Sequence, residues 1–235
     1  MNVKIQDELN FSTIDLCRAK RDLAILIQKL QEILLYIEPS EEGLKAYSHK
    51  IKELLILACT EVENSFKCYN LGNNQKTSDY IKILKLVDLT KYKISLVGYA
   101  NPYKCCPFKN WNATEPTKSL PWYDAYNNIK HNSSKNFNLA TFENCLNAIA
   151  AKLILFAVRY SPMSLYNEFD TCAQLTRSSL DYNIEDSEDI YIPLIEGARS
   201  YSGAFTVPFK CHNGKVIQNI YDIAQTLPYE EREVK

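Results

Sequence analysis

The sequence predicts a mainly α-helical protein, a helical bundle with a less regular insertion near residues 90 to 121 and a small mixed C-terminal extension. Three observations predict it. Apolar residues recur three and four apart over about 13 to 38, 41 to 68 and 141 to 160, a spacing that gathers them on one face of a helix. Breaker residues, notably Pro39, Pro121 and Pro162, separate these stretches. The composition, 46% apolar and 23% charged with only 6 Gly and 9 Pro in 235 residues, suits a globular chain and disfavours disordered or fibrous architectures.

In the first stretch Leu16, Ala19, Leu23, Leu26, Leu30, Ile33 and Ile37 form one stripe, with Ser12 or Thr13 as N-cap and Pro39 enforcing the stop. The second stretch aligns Leu44, Tyr47, Ile51, Leu54, Leu55, Ala58, Val62 and Phe66, with Ser40 expected to cap it and the turn-rich 70–74 segment expected to follow it. The short link around Pro39 makes these two helices antiparallel neighbours. Residues 78 to 89 favour a short helix. Tyr92, Ile94 and Leu96 alternate with Lys93, Ser95 and Val97 as a weak strand signal. The proline-rich excursion from 101 to 121 contains Phe108, Trp111 and Leu120 as anchors. Residues 121 to 131 predict a short helix with Trp122, Ala125, Tyr126 and Ile129 inward, and Thr141 caps the helix from 142 to 160.

Beyond Pro162 a further helix is expected over 164 to 178, then an acidic connection from Asp181 to Asp189, strand signals at Ile190 to Ile195, and a hairpin turning at Asn213-Gly214. The chain is accordingly divided into a bundle over 1–180, with its insertion near 90–121, and an extension over 181–235 that packs on it. The apolar residues Leu23, Ile25, Leu26 and Ile27, and Leu153, Ile154, Leu155 and Phe156, occupy several sides of their helices. Burial of that surplus in a homodimer is expected, with coverage by the insertion or the tail as the alternative.

The 27 Lys and Arg against 28 Asp and Glu give a net charge of -1, which offers no global attraction toward a nucleic-acid backbone, so a broad polyanion-binding face does not follow. Residues 101 to 180 alone are mildly basic. The N-terminus carries acidic residues where an export signal would be basic, and no apolar run reaches the roughly 20 residues of a membrane helix. A cytoplasmic protein without membrane insertion is expected. The eight cysteines are then read as reduced thiols, with Cys17, Cys59 and Cys145 as small core residues. Neither Cys105-Cys106 nor Cys211-His212 has a second pair at zinc spacing, so no metal site and no cofactor are expected.

The densest polar chemistry lies between Trp122 and Asn132. On a helix Asn127 and His131 are one turn apart, and Asp124, Asn128 and His131 share a face. His131 can move a proton near neutral pH, Lys130 can attract phosphate, and Asn127 or Asn128 can orient a ligand. The competing reading is a helix C-terminus in which Lys130 and His131 favour the helix dipole and Asn132 ends the helix. Tyr103, Phe108, Trp111, Trp122, Tyr123 and Tyr126 are candidate base-stacking surfaces.

The paired helices over 13 to 67, the segment ending Tyr126-Asn127-Asn128-Ile129-Lys130-His131 and the long helix 142 to 160 resemble the HEPN superfamily over about residues 15 to 160. The resemblance implies a helical bundle that dimerises and works in RNA processing or beside prokaryotic defence and toxin systems. Active members cleave RNA without metal, using an Arg followed after four to six residues by a His. With His131 as that His, the Arg positions hold Asp124, Ala125 and Tyr126, so the motif lacks its Arg, and Lys130, Arg159 or Arg177 would have to replace it. The resemblance therefore implies RNA or nucleotide binding, with His131, Lys130 and Asn127 as the catalytic set of any residual endoribonuclease and Asn128, Tyr126 and Asp124 as ligand contacts. A noncatalytic protein-interaction or regulatory bundle is the alternative function, and a defence-system protein is the partner the resemblance implies.

Overall fold

The computed structural model describes residues 13–69, 76–85, 89–96, 99 and 103–160, together with the strand backbones at 180–184, 209–210 and 216–217. It is mainly helical. Five α-helices occur among the described residues: α1 (Thr13–Leu34), α2 (His49–Lys67), the single-turn α3 (Thr77–Tyr80), α4 (Pro121–His131) and α5 (Phe142–Tyr160). The strands are β1 (Tyr92–Leu96), β2 (Lys104–Cys105), β3 (Leu180–Ile184), β4 (Phe209–Lys210) and β5 (Val216–Ile217).

Side-chain pairs fix the helix directions. Lys29 with Glu53 at 3.0 Å and Lys50 with Glu32 at 2.7 Å align α1 antiparallel to α2, as the short link requires. The Phe142 N–H donates to the Ala46 carbonyl at 2.8 Å, and Arg159 reaches the Cys68 carbonyl at 3.2 Å from the other end, so α2 and α5 run parallel. Lys52 near Ser133 and Tyr123 near Glu63 set α4 antiparallel to α2. Among the described elements the α2–α5 packing is the most extensive.

Helix α5 is the central element, and every residue from Ala148 to Tyr160 is buried. It packs on α1, α2, α4, β1 and β2. Leu153, Ile154, Leu155 and Phe156 are therefore covered within one chain, as are Leu23, Leu26 and Ile27, leaving Ile25 half-exposed. Most of the apolar surface that argued for a homodimer is thus covered within the chain, and Ile25 is not.

Three boundaries differ from expectation. Helix α1 stops at Leu34 and not beside Pro39, with Leu35 and Tyr36 in a turn. Helix α2 starts at His49, because Ser48 is its N-cap and accepts from the Ile51 N–H at 3.2 Å. Ser40 instead accepts from the Gly43 N–H and closes the one-turn 3₁₀ segment Gly43–Lys45, where a Cβ would collide with the Glu38 carbonyl. Tyr47 consequently leaves the helical stripe and is 52% exposed.

The insertion is ordered by aromatic packing. Phe66 stacks on Tyr80 at 4.8 Å and meets Trp111 at 5.4 Å, while Phe108 lies edge-on to Trp122 at 6.1 Å. Each indole also donates a 2.8 Å hydrogen bond into the excursion, Trp111 to the Pro116 carbonyl and Trp122 to that of Pro107. Residues 77–85 form α3 and a 3₁₀ turn in place of one helix.

Strand β1 is the middle of a three-stranded antiparallel sheet of order β2-β1-β3, with Ile94 opposite both Cys105 and Tyr182. Lys93 is buried along with Tyr92, Ile94 and Leu96, so the expected alternation does not separate a wet face. Residues 181–184, expected to be an acidic connection, form most of β3, which spans the expected 180/181 boundary. Strands β4 and β5 pair antiparallel, with Phe209 opposite Ile217 and Lys210 opposite Val216, on either side of the expected Asn213-Gly214 turn. Ser12, the 70–74 segment, the expected helix over 164–178, the segments 185–189 and 190–195, and Cys172, Arg177, Cys211 and His212 lie outside the described residues.

Among the described residues no helix is long and apolar enough to cross a membrane, and no group of three or more His, Cys, Asp and Glu side chains could hold a metal ion. Cys59, Cys105 and Cys145 are buried free thiols, whereas Cys17, expected in the core, is exposed.

Candidate nucleic-acid interface

Helix α4 occupies the expected span, with Pro121 at its start, where a missing N–H costs nothing. Trp122, Tyr123, Ala125, Tyr126 and Ile129 are buried. At about 100° of rotation per residue, Asp124, Asn127, Asn128 and His131 fall on the opposite, wetter flank, and Lys130 stands at the edge of that flank, between Asn127 and the buried Tyr126.

Lys130 has a partner of its own on α4. Lys130 donates to the Tyr126 hydroxyl at 3.2 Å and lies 5.3 Å from its ring centroid. The hydrogen bond to Tyr126, followed by the charges available on Tyr126 and Glu63, raises the Lys130 pKa above its ordinary value. Lys130 is thus a persistent cation turned along the helix. His131 is exposed and Asn127 half-buried, and no hydrogen bond among the described residues joins either to Lys130.

Asn128 and Asp124 have structural partners. The Asn128 amide donates to the Asp124 carbonyl at 2.9 Å and to its carboxylate at 3.1 Å. The Asn128 carbonyl accepts from the Asn132 N–H at 3.0 Å and from the Asn136 side chain at 2.8 Å. Asn132 in turn accepts from the Lys135 N–H. This asparagine network satisfies groups that a helix end leaves open, and so the helix-terminating reading describes Asn128 and Asn132 directly. Tyr126 is likewise a core residue, buried beside Tyr123 at 5.7 Å between ring centroids.

The expected stacking residues are mostly interior as well. Phe108, Trp111, Trp122, Tyr123 and Tyr126 are buried, and Tyr103 is half-buried in a network with Glu143 and Asn147. Tyr123 donates to Glu63 at 2.9 Å, and burial, then the Glu63 charge, pushes its hydroxyl well above the usual range.

The fold instead assembles a different group beside the end of α4. Phe137, in the 3₁₀ turn Phe137–Leu139, receives the His49 ring at 4.7 Å and the edge of Tyr47 at 5.6 Å. Lys52 lies over the same ring at 5.3 Å and donates to Ser133 at 3.3 Å. The bridge between Tyr47 and Thr141, with the Phe142 to Ala46 hydrogen bond, holds the two segments in register. His49 and His131 are thereby carried on facing segments at one end of the bundle.

Charge at this end is uneven. Lys50 is paired with Glu32 and Lys45 with Glu41 and Glu42. Among the described residues Lys52, Lys130 and Lys135 have no carboxylate partner. Three lysines outside ion pairs among the described residues, two exposed histidines and the exposed Tyr47 ring can attract phosphate and stack a base. The sequence reading missed Tyr47, His49, Lys52 and Phe137 because about ninety residues separate the two contributing segments. Comparison with protein-family models, curated proteins and solved structures finds no match for this chain.

Proposed function

We propose that this chain is a HEPN-like bundle that binds RNA or a nucleotide in the cytoplasm, at the end where the start of α2 meets the loop after α4. The observation carrying the reading is the Phe137 cluster, in which Tyr47, His49 and Lys52 surround one ring beside His131. An unpaired nucleobase has a π-face for such a ring, and the flanking lysines meet the phosphates that lead to it. Binding without cleavage is the form of this function that the residues support. Transition-state stabilisation needs donors aimed at one phosphate, and Lys130 is turned toward Tyr126.

A second reading is a noncatalytic protein-interaction bundle, whose partner would be a protein of the kind of system the resemblance implies. Leu35 and Tyr36, 78% and 83% exposed at the end of α1 nearest the start of α2, favour it. A metal-free assay with a labelled single-stranded RNA separates the readings, comparing the wild type with His131→Ala. RNA retained intact in a complex by both proteins is the expected result. Cleavage lost in His131→Ala would establish the enzyme, and neither binding nor cleavage would leave the protein-interaction reading.

A further inference from the structure

A pocket of about 330 Å³ opens between α1, α2 and α5, toward the end of α2 remote from Lys52. Six charged side chains line it: Asp15, Asp22 and Glu61 against Arg18, Lys152 and Arg159. Opposite charges balance there, so neither a plain anion nor a plain cation is drawn in by net charge.

The cations on α5 are committed to the protein. Lys152, 5% exposed, donates to Ser65 at 3.0 Å, to the Glu61 carbonyl at 3.3 Å and to the Glu61 carboxylate at 3.4 Å. Those three acceptors use the three N–H groups of its ammonium. Arg159 donates to the Cys68 carbonyl and lies over the rings of Tyr69 and Tyr160.

The open groups are on α1. Asp22 makes no hydrogen bond or ion pair among the described residues, and burial, then repulsion from Glu61, raises its carboxyl pKa above the ordinary value. Arg18, one turn earlier, is exposed and has no acidic partner among the described residues. Residues four apart on a helix can pair across one turn, yet these two stand apart on the same pocket. A cation beside Asp22 would relieve its repulsion from Glu61, and an anion beside Arg18 would meet an uncommitted guanidinium.

We propose that this pocket binds a small dipolar molecule of the free amino-acid class, its ammonium on Asp22, its carboxylate on Arg18 and its side chain against Leu155 and Phe156. A volume near the small end of ligand pockets suits a molecule of that size. The site uses none of the residues in the nucleic-acid reading, so the two stand or fall separately.

Thermal-shift and calorimetric titration of the full chain with L-leucine, L-lysine and L-glutamate tests the proposal, with n-butylamine and butyrate as single-charge probes. A saturable response to at least one amino acid is expected at concentrations up to about 10 mM, with neither single-charge probe reproducing it. Arg18→Ala, a substitution at an exposed position, should weaken binding at least tenfold, as should Asp22→Asn, while Lys52→Ala leaves it unchanged. Circular dichroism establishes folding, and Arg18→Ala carries the test if Asp22→Asn does not fold. No response to any amino acid, an equal response to n-butylamine or butyrate, or binding that survives Arg18→Ala would overturn the proposal.

Discussion

The Lys52 ammonium lies 5.3 Å from the centroid of the Phe137 ring and 3.3 Å from the Ser133 hydroxyl, joining the first turn of α2 to the loop that follows α4. Cation–π attraction and a hydrogen bond hold one lysine in two ways at a partly exposed site, each contributing about 0.5–1 kcal/mol. The contact sets His49, Tyr47 and Phe137 beside the segment carrying His131 and Lys135.

The cap assigned to Ser48 predicts an asymmetry between two serines. Ser48→Ala should lower unfolding free energy by about 1 kcal/mol, since it strips the hydroxyl that accepts from the Ile51 N–H at the start of a 19-residue helix. Ser40→Ala, which touches only an exposed 3₁₀ turn, should cost less. Urea denaturation followed by circular dichroism measures both.

Burial of Lys152 depends on Glu61. Glu61→Gln leaves the ammonium without its compensating charge and should destabilise the fold by about 3 kcal/mol. Lys152→Met, which removes the buried charge while leaving the more exposed carboxylate, should cost less. Denaturant midpoints for the two variants give the comparison, and equal losses would mean that the pair contributes through packing alone.

The same burial makes the protein sensitive to alkali. Burial raises the Cys59, Cys105 and Cys145 thiols above their model-compound value of 9.0, and Tyr80, Tyr103 and Tyr123 rise above 10.0 for the same first cause. A group with a raised folded-state pKa contributes stability that is fully present below its unfolded pKa and is lost as pH rises through the folded value. Lys152, shifted downward by burial, acts in the opposite sense but is one group among many. Unfolding free energy should therefore decline from about pH 9 upward, steepening above pH 10. Chemical denaturation between pH 8 and 11 measures the decline, and a flat profile would contradict the burial of these groups.

Thiol accessibility should divide the cysteines by position. Brief alkylation of the native protein, mapped by peptide mass spectrometry, should modify Cys17 and Cys68 and spare Cys59, Cys105 and Cys145 until denaturant is added. Early labelling of Cys145 would show that α5 opens without global unfolding.

The helices were legible where a single segment supplied both pattern and stop signal. Pro121 and Asn132 delimit α4, and Thr141 caps α5 by accepting from the Asn144 N–H at 3.3 Å. The start of α2 was misread because Leu44 and Tyr47 continue the helical spacing although Gly43, Ser40 and Ser48 impose a separate turn. Cys17 shows the same limit, since helical position alone does not say which flank a neighbour covers. The residues singled out on α4 are present where expected, but Lys130 is hydrogen-bonded to Tyr126 and Asn128 is engaged in ending the helix. Tyr47, His49 and Phe137 gave no local signal, because their association exists only after α2 and α5 pack in parallel.

The most direct measurement is the salt dependence of single-stranded RNA binding, read by fluorescence anisotropy of a labelled oligonucleotide with wild type, Lys52→Ala and Phe137→Leu. The account predicts saturable binding by the wild type, a slope of log affinity against log salt that falls by about 0.7 in Lys52→Ala, and affinity about tenfold weaker in Phe137→Leu. Binding that is undetectable in the wild type, or unchanged in both variants, would contradict it.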